Sequence, residues 1–271
     1  MAKTVLVTGT SSGVGEATAR LFATRGWNVA ATARDPSVLG DWSSVSNVAA
    51  LRLDVTDLDS IRRAVAETEQ RFGPIDVLVN NAGGGLGGPV EGASLEQFNR
   101  LFNQNVFGVV SMIQAVLSTM RQRRQGVIVN VSSVSGRVGL PFLAPYCASK
   151  YALEGLTEAM TFELEPFGIR LKLIELGGVK TDFSHEWIQS SAFEPVSGLV
   201  QRRMDVGATK SPGPEGPAKT IYRAATDGAA RLRYTANGAG MLLWMHRNLP
   251  TSAWRRLIRN ALVPKDIKRA S

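Results

Sequence analysis

The stretch KTVLVTGTSSGVGEATARLFATRG, residues 3–26, joins three signals in a fixed order. KTVLVT is a β-branched, aliphatic run; a turn with Gly9, Gly13 and Gly15 follows, and then a segment with apolar residues at helical spacing. Glycines in such a turn let the chain reverse tightly, let a pyrophosphate approach backbone N–H groups and let the helix pack close on the strand. The helix N-terminus then favours negative charge. Three glycines alone are an ordinary turn, but directly after the first strand of a βαβ unit they point to a dinucleotide site. A nucleotide-hydrolase phosphate loop is excluded, because no Gly-Lys-Ser/Thr follows.

Outward from this unit the pattern repeats. WNVAATA, VAALRLDV, IDVLVN, GVIVNVS and IRLKLIEL read as further strands, and residues 58–73, 95–124 and 148–168 carry helical periodicity between them. Strands that are apolar in both parities and separated by helices belong to a parallel sheet covered on both faces, so the expected fold is α/β, doubly wound. No linker interrupts the repetition through residue 177, and the whole chain, 1–271, reads as a single domain. Residues 183–213 break the pattern and read as a mobile segment covering a site. PAKTIYRAATDG reads as a helix, LRYTANG as an edge strand with a turn, and 241–271 as a basic helical tail in two pieces broken at Pro250.

Composition narrows the function classes. The opening MAKTVLVTGT has no secretory leader pattern and no run approaches 18 apolar residues, so a soluble, cytoplasmic protein is expected. Cys147, the single cysteine, cannot form an internal disulfide and has no neighbouring His to make it a nucleophile. The net charge of +8 is uneven: residues 201–271 carry net +10 and the first two hundred carry −2. No zinc-finger spacing, helix-turn-helix or aromatic-basic RNA motif accompanies that excess, so no nucleic-acid partner and no metal are expected. In SAWRRLIRNALV, Trp254, Leu257, Ile258 and Leu262 gather on one side of a helix and Arg255, Arg256 and Arg259 lie largely elsewhere. That pattern suits packing on the chain itself or peripheral membrane contact.

Tyr146 and Lys150 stand four residues apart, so on a helix they share a face. Alone, such a pair is a phenol packed over a lysine stem. Taken with T-G-x-x-x-G-x-G at residues 8–15, NNAG at 80–83 and Ser133 thirteen residues before Tyr146, it resembles the short-chain dehydrogenase/reductase family over about residues 3–182. GLPFLAPYCASKYALEGL further resembles the branch of hydroxysteroid, retinol and carbonyl oxidoreductases.

The resemblance implies a Rossmann-type fold and hydride transfer between a nicotinamide and a hydrophobic ketone or aldehyde, or the matching alcohol. Tyr146 would be general acid or base, its phenol lowered by the Lys150 ammonium and by the positive nicotinamide of the oxidised complex. Ser133 would donate to the substrate oxygen, with Ser132 and Ser135 as neighbours open to confusion. Lys150 would also bind the nicotinamide ribose. Asn105 would hold a helix irregularity and a water leading to Lys150. Cofactor contacts would come from Gly9, Ser11, Ser12, Gly13, Val14 and Gly15, from Asp54 on the adenine amino group and Val55 on its ring, from Asn80, Ala82 and Gly83 along the ribose, and from Val179 and Thr181. After the second strand Ala33 offers no acid to a ribose, whereas Arg34 suits a 2′-phosphate, so NADP(H) is favoured over NAD(H). Asp35 could instead pair with Arg34 or serve the ribose itself. Leu176 stands where the family commonly has proline. The family implies a homodimer or homotetramer through residues 94–122 and 146–166. The alternative is a dinucleotide-binding regulator or scaffold without turnover, which would be expected to lack Ser133, Tyr146 or Lys150.

Overall fold

In the computed structural model, which describes residues 2–183, 185–194 and 196–263, parallel strands form a seven-stranded sheet. β1 (Thr4–Thr8), β2 (Asn28–Ala33) and β3 (Val48–Arg52) build one half; β4 (Val77–Asn80), a short β5 (Gly85–Gly87) outside this sheet, β6 (Gly126–Ser133) and β7 (Ile169–Leu176) follow. With β8 (His185–Trp187) and β9 (Arg233–Ala236), the large sheet runs in the order β3-β2-β1-β4-β6-β7-β9, and β5 pairs with β8 separately.

Strand parity divides the core. Val5, Val7, Val29, Val77, Val79 and Val129 face one side, under α1 (Gly13–Thr24) and α7 (Glu215–Thr226), where Phe22 and Ile221 meet them. Leu6, Ala30, Leu78 and Ile128 face the other side, under α2 (Leu58–Phe72), α4 (Gly108–Arg123) and α5 (Ala144–Leu164). Both parities are therefore apolar, as a doubly covered sheet requires. The strand order changes direction between β1 and β4, and the crevice beyond their carboxyl ends is where such sheets bind ligands.

Two readings change. The helix expected over residues 95–124 is α3 (Leu95–Phe102) and α4 joined by a π turn at Asn103–Phe107. That run is long and apolar enough to cross a membrane, yet Val109, Met112, Ile113 and Met120 are buried on the sheet. Residues 183–213, read from sequence as a mobile segment covering a site, carry regular elements, β8 and α6 (Val196–Lys210). The tail does form two helices about Pro250, α8 (Ala239–Asn248) and α9 (Thr251–Leu262); its last residues, 264–271, lie outside those described.

Candidate active site

The glycine turn between β1 and α1 is shaped so that no larger residue fits. Gly9 and Gly13 have φ of +70° and +60°, the left-handed region that glycine alone enters without strain. A Cβ on Gly9 would sit 2.9 Å from Ala82 Cα, one on Gly13 3.0 Å from Thr181 Cγ2, and one on Gly15 would run into the Gly9 carbonyl and the Asn81 amide. Asn81 pins the turn: its Nδ2 donates to Thr8 O and Gly9 O at 3.0 Å each, while the Asn81 and Ala82 N–H groups donate to Thr8 Oγ1 at 3.0 and 2.9 Å. Ser12 begins α1 without a side-chain cap, Ser11 is exposed and Val14 packs partly on the core. A cradle bare of Cβ atoms at a helix N-terminus fits a dinucleotide pyrophosphate, with Thr181 across from it and Val179 half-buried nearby in sequence.

The positions expected to hold the adenosine half separate into two groups. Arg34 is exposed directly after β2. Asp35 is not its partner, because Asp35 Oδ1 accepts from Ser37 N and Ser37 Oγ at 3.0 and 2.7 Å, and these bonds hold its carboxyl below the usual range. Burial, the largest influence on Asp54, pushes its carboxyl up, but bonds from Thr56 N and Oγ1 to Oδ1 and the charges of Arg34 and Arg52 outweigh it and leave the carboxyl lowered. Asp57, not Asp54, caps α2, accepting from Asp59 N and Ser60 N.

The side chains of two expected contacts are engaged within the protein. Val55 packs into the core under α4, with its carbonyl against Gly108. Asn80 is buried and donates to Asn130 Oδ1 at 2.8 Å, and Asn130 in turn donates to Thr157 Oγ1 at 2.9 Å, so its amide ties β4 to β6 rather than facing the crevice. Registered strands explain this, since Asn80 lies opposite Asn130. Asn81, which the sequence reading passed over, is the residue of that pair at the glycine turn.

Ser133 ends β6, while Tyr146 and Lys150 lie on the first turns of α5, which Pro145 helps to start. All three meet at the carboxyl end of the sheet. Burial pushes the Tyr146 phenol up to about 12, against the pull of its hydrogen bond with the Ser133 side chain. Ser133 Oγ also accepts from Ser135 N at 3.1 Å, whereas Ser132 Oγ is buried without a partner among the described residues. Lys150 is 7% exposed; burial lowers its ammonium to about 8, opposed by the charge of Glu154, and Nζ donates to Val131 O at 3.0 Å. The lowered phenol expected from sequence is thus absent in the protein alone: desolvation dominates, and Lys150 is turned to the β6 backbone, 5.8 Å from the phenol ring centre. Asn105 sits in the π turn. It accepts from Gly84 N at 2.8 Å and donates to Gly84 O at 2.9 Å and Ser149 Oγ at 3.0 Å, and Ser149 Oγ donates to Tyr146 O at 2.8 Å. Gly83 must be small beside it, for a Cβ there would lie 3.1 Å from Asn105 Oδ1.

Around Tyr146 the wall is apolar: Leu140, Leu143, Cys147, Trp187 and Met204. Phe193 packs edge-on to Phe142 at 6.4 Å. His185 was not singled out from sequence, yet its ring stands perpendicular to Tyr146 at 5.0 Å and to Phe183 at 5.4 Å. Burial lowers its pKa, against the charge of Asp205, so the imidazole is neutral at pH 7. The segment before α5 has a second side: Gly139 and Pro141 border a separate cleft of about 700 Å³ whose far wall is α9.

A family model of short chain dehydrogenases matches residues 3–192. A 3-ketodihydrosphingosine reductase of Bacteroides thetaiotaomicron is 42% identical over 66% of this chain and 65% of its own length, so the chain spans a little under two thirds of that relative. Human 17-beta-hydroxysteroid dehydrogenase type 1 is 42% identical over 70% of this chain and 61% of its own. Among solved structures, a short-chain dehydrogenase from Streptomyces avermitilis covers 96% of this chain and 99% of its own with TM-score 0.84 and 32% identity. A variant of actinorhodin polyketide ketoreductase with NADPH covers 88% and 97% with TM-score 0.76 and 29% identity. With the glycine cradle, the sheet order and the Ser133, Tyr146 and Lys150 cluster in place, the chain belongs to the short-chain dehydrogenase family.

Proposed function

We propose that this protein is an NADP(H)-dependent oxidoreductase acting on a hydrophobic ketone or aldehyde, or on the matching alcohol. The observation that carries this is the buried Tyr146 phenol between half-buried Ser133 and buried Lys150, at the end of the sheet where the glycine cradle opens. When bound, the dinucleotide supplies or accepts the hydride. The protein's groups manage the oxygen: the Ser133 hydroxyl donates to the substrate carbonyl, and Tyr146 Oη gives up its proton as the alkoxide forms. A phenol raised by burial is a poor base but remains protonated, ready as an acid, at neutral pH. Lys150 lies close enough to favour the phenolate once its ammonium turns from Val131 O. The clamp from Asn105 through Ser149 holds the backbone of Tyr146, so the acid is positioned by the π turn.

Exposed Arg34 after Ala33 supports NADP(H), as does the NADPH in the ketoreductase neighbour. The apolar wall of Leu140, Leu143, Trp187 and Met204 supports a hydrophobic substrate. Exposed Phe107, Tyr151 and Phe162 near or on α4 and α5 support the homo-oligomer, which sedimentation velocity would size. The cofactor reading is tested by titrating the purified protein with NADPH and with NADH while following nicotinamide fluorescence. Tighter NADPH binding is expected; binding of neither would overturn the oxidoreductase reading.

A further inference from the structure

The last two helices cover almost nothing of themselves. From Ala239 to Leu262, α8 and α9 bury only Ala239 and Trp254. Met241 is 68% exposed and Trp244 64%, and Leu249 and Leu257 are exposed as well. The hairpin is held by its own contacts, His246 standing edge-on to Trp254 at 5.0 Å, and by α6 against α9. An uncovered patch of this kind marks an interaction surface.

Charge says which surface. Residues 239–263 contain Arg247, Arg255, Arg256 and Arg259 and no Asp or Glu. All four arginines are exposed, and none forms a salt bridge among the described residues. A protein partner would have to meet the cations and the apolar side chains with matched pockets, whereas an anionic bilayer offers both phosphates and acyl chains without such fitting. Trp and Met seat at the headgroup boundary while arginines reach the phosphates.

We propose that the α8–α9 hairpin docks the protein peripherally on an anionic membrane surface, with Met241 and Trp244 inserted at the interface and Arg255, Arg256 and Arg259 on lipid phosphates. The cleft of about 700 Å³ bordered by Arg255, Arg256 and Arg259 opens on this hairpin, and its other wall, Gly139 and Pro141, belongs to the segment that presents Leu140 and Leu143 to Tyr146. Docking there sets a lipid-borne compound beside the wall of the Tyr146 pocket. The surface reading itself is independent of the hydride chemistry.

The test uses the full chain with vesicles of neutral phosphatidylcholine and with vesicles containing about a third phosphatidylglycerol. Flotation at low salt is expected only with the anionic vesicles and is expected to fade as salt rises. Replacing Arg255, Arg256 and Arg259 together by Gln should weaken binding about fivefold per arginine, on the order of a hundredfold in all. Trp244→Phe should still float but lose the blue shift of tryptophan emission on binding, which assigns the inserted ring. Unchanged circular dichroism and unchanged NADPH titration would show the variants folded. No flotation of the wild type at low salt would overturn the proposal. So would equal binding to both vesicles, or self-association that Trp244→Ala abolishes in a protein that ignores vesicles, the last meaning that a second copy covers the hairpin.

Discussion

Tyr146 and Lys150 are buried together with opposite consequences: burial holds the phenol protonated, and the same burial makes the ammonium easier to discharge. Tyr146→Phe removes the phenolic O–H and little else, so it tests the proposed proton donor. Turnover of a good ketone substrate is expected to fall about a hundredfold or more, with NADPH affinity near normal, in a steady-state assay paired with the fluorescence titration. At the other end of the crevice Arg34 is exposed, Asp35 is occupied by Ser37, and no ion pair holds Arg34 among the described residues, so its guanidinium suits a 2′-phosphate. Arg34→Ala should therefore weaken NADPH several-fold more than NADH; equal weakening would remove the phosphate assignment.

At the scale of elements, two joints position the site, the glycine turn and the π turn. Gly15→Ala drives a methyl into the Gly9 carbonyl and the Asn81 amide, and should abolish measurable dinucleotide binding. Asn105→Ala strips the partners from Gly84 N–H, Gly84 C=O and Ser149, a loss on the order of 1–3 kcal/mol in urea unfolding, and turnover should fall with it. The elements of the large sheet were legible because parallel strands buried on both faces must be apolar in both parities. β5 was not: Gly85–Leu86–Gly87 has no strand propensity, and it pairs only because the bulky His185 and Trp187 need the room its glycines leave. α6 escaped because it buries only Ser197 and Val200 and carries two glycines, Gly198 and Gly207. Of the site, residue types and spacing were readable but directions were not. Adjacent residues at a strand end point opposite ways, so NNAG could not say which asparagine meets the turn until Asn130 was seen opposite Asn80.

For the whole molecule, the buried pair links stability to pH. Lys150 titrates near 8 in the folded chain and near 10.5 unfolded, so between those values the unfolded state holds more protons and stability should rise with pH. Tyr146 titrates near 12 folded and near 10 unfolded, so between pH 10 and 12 the folded state holds more protons and stability should fall; Tyr234, also raised to about 12, adds to the fall. Urea unfolding of the protein without cofactor at pH 7, 8 and 9.5 should show the rise, and Lys150→Met should be more stable at pH 7 and lack it.

The roof of the Tyr146 pocket differs in kind from its floor. β5 and β8 meet over three residues each, and Gly85 finds its partner His185 only a hundred residues downstream. The floor, by contrast, is the long β6–β7 pairing of eight residues. Opening the roof breaks a handful of bonds, among them Ile188 N–H to Gly87 O at 2.8 Å, and leaves the floor untouched. Amide hydrogen exchange should therefore find Ile188 exchanging long before Val129 or Leu173, through openings that cost far less than global unfolding. Under the proposed function, a bulky substrate would enter by parting a seam three residues long while Ser133, Tyr146 and Lys150 keep their places.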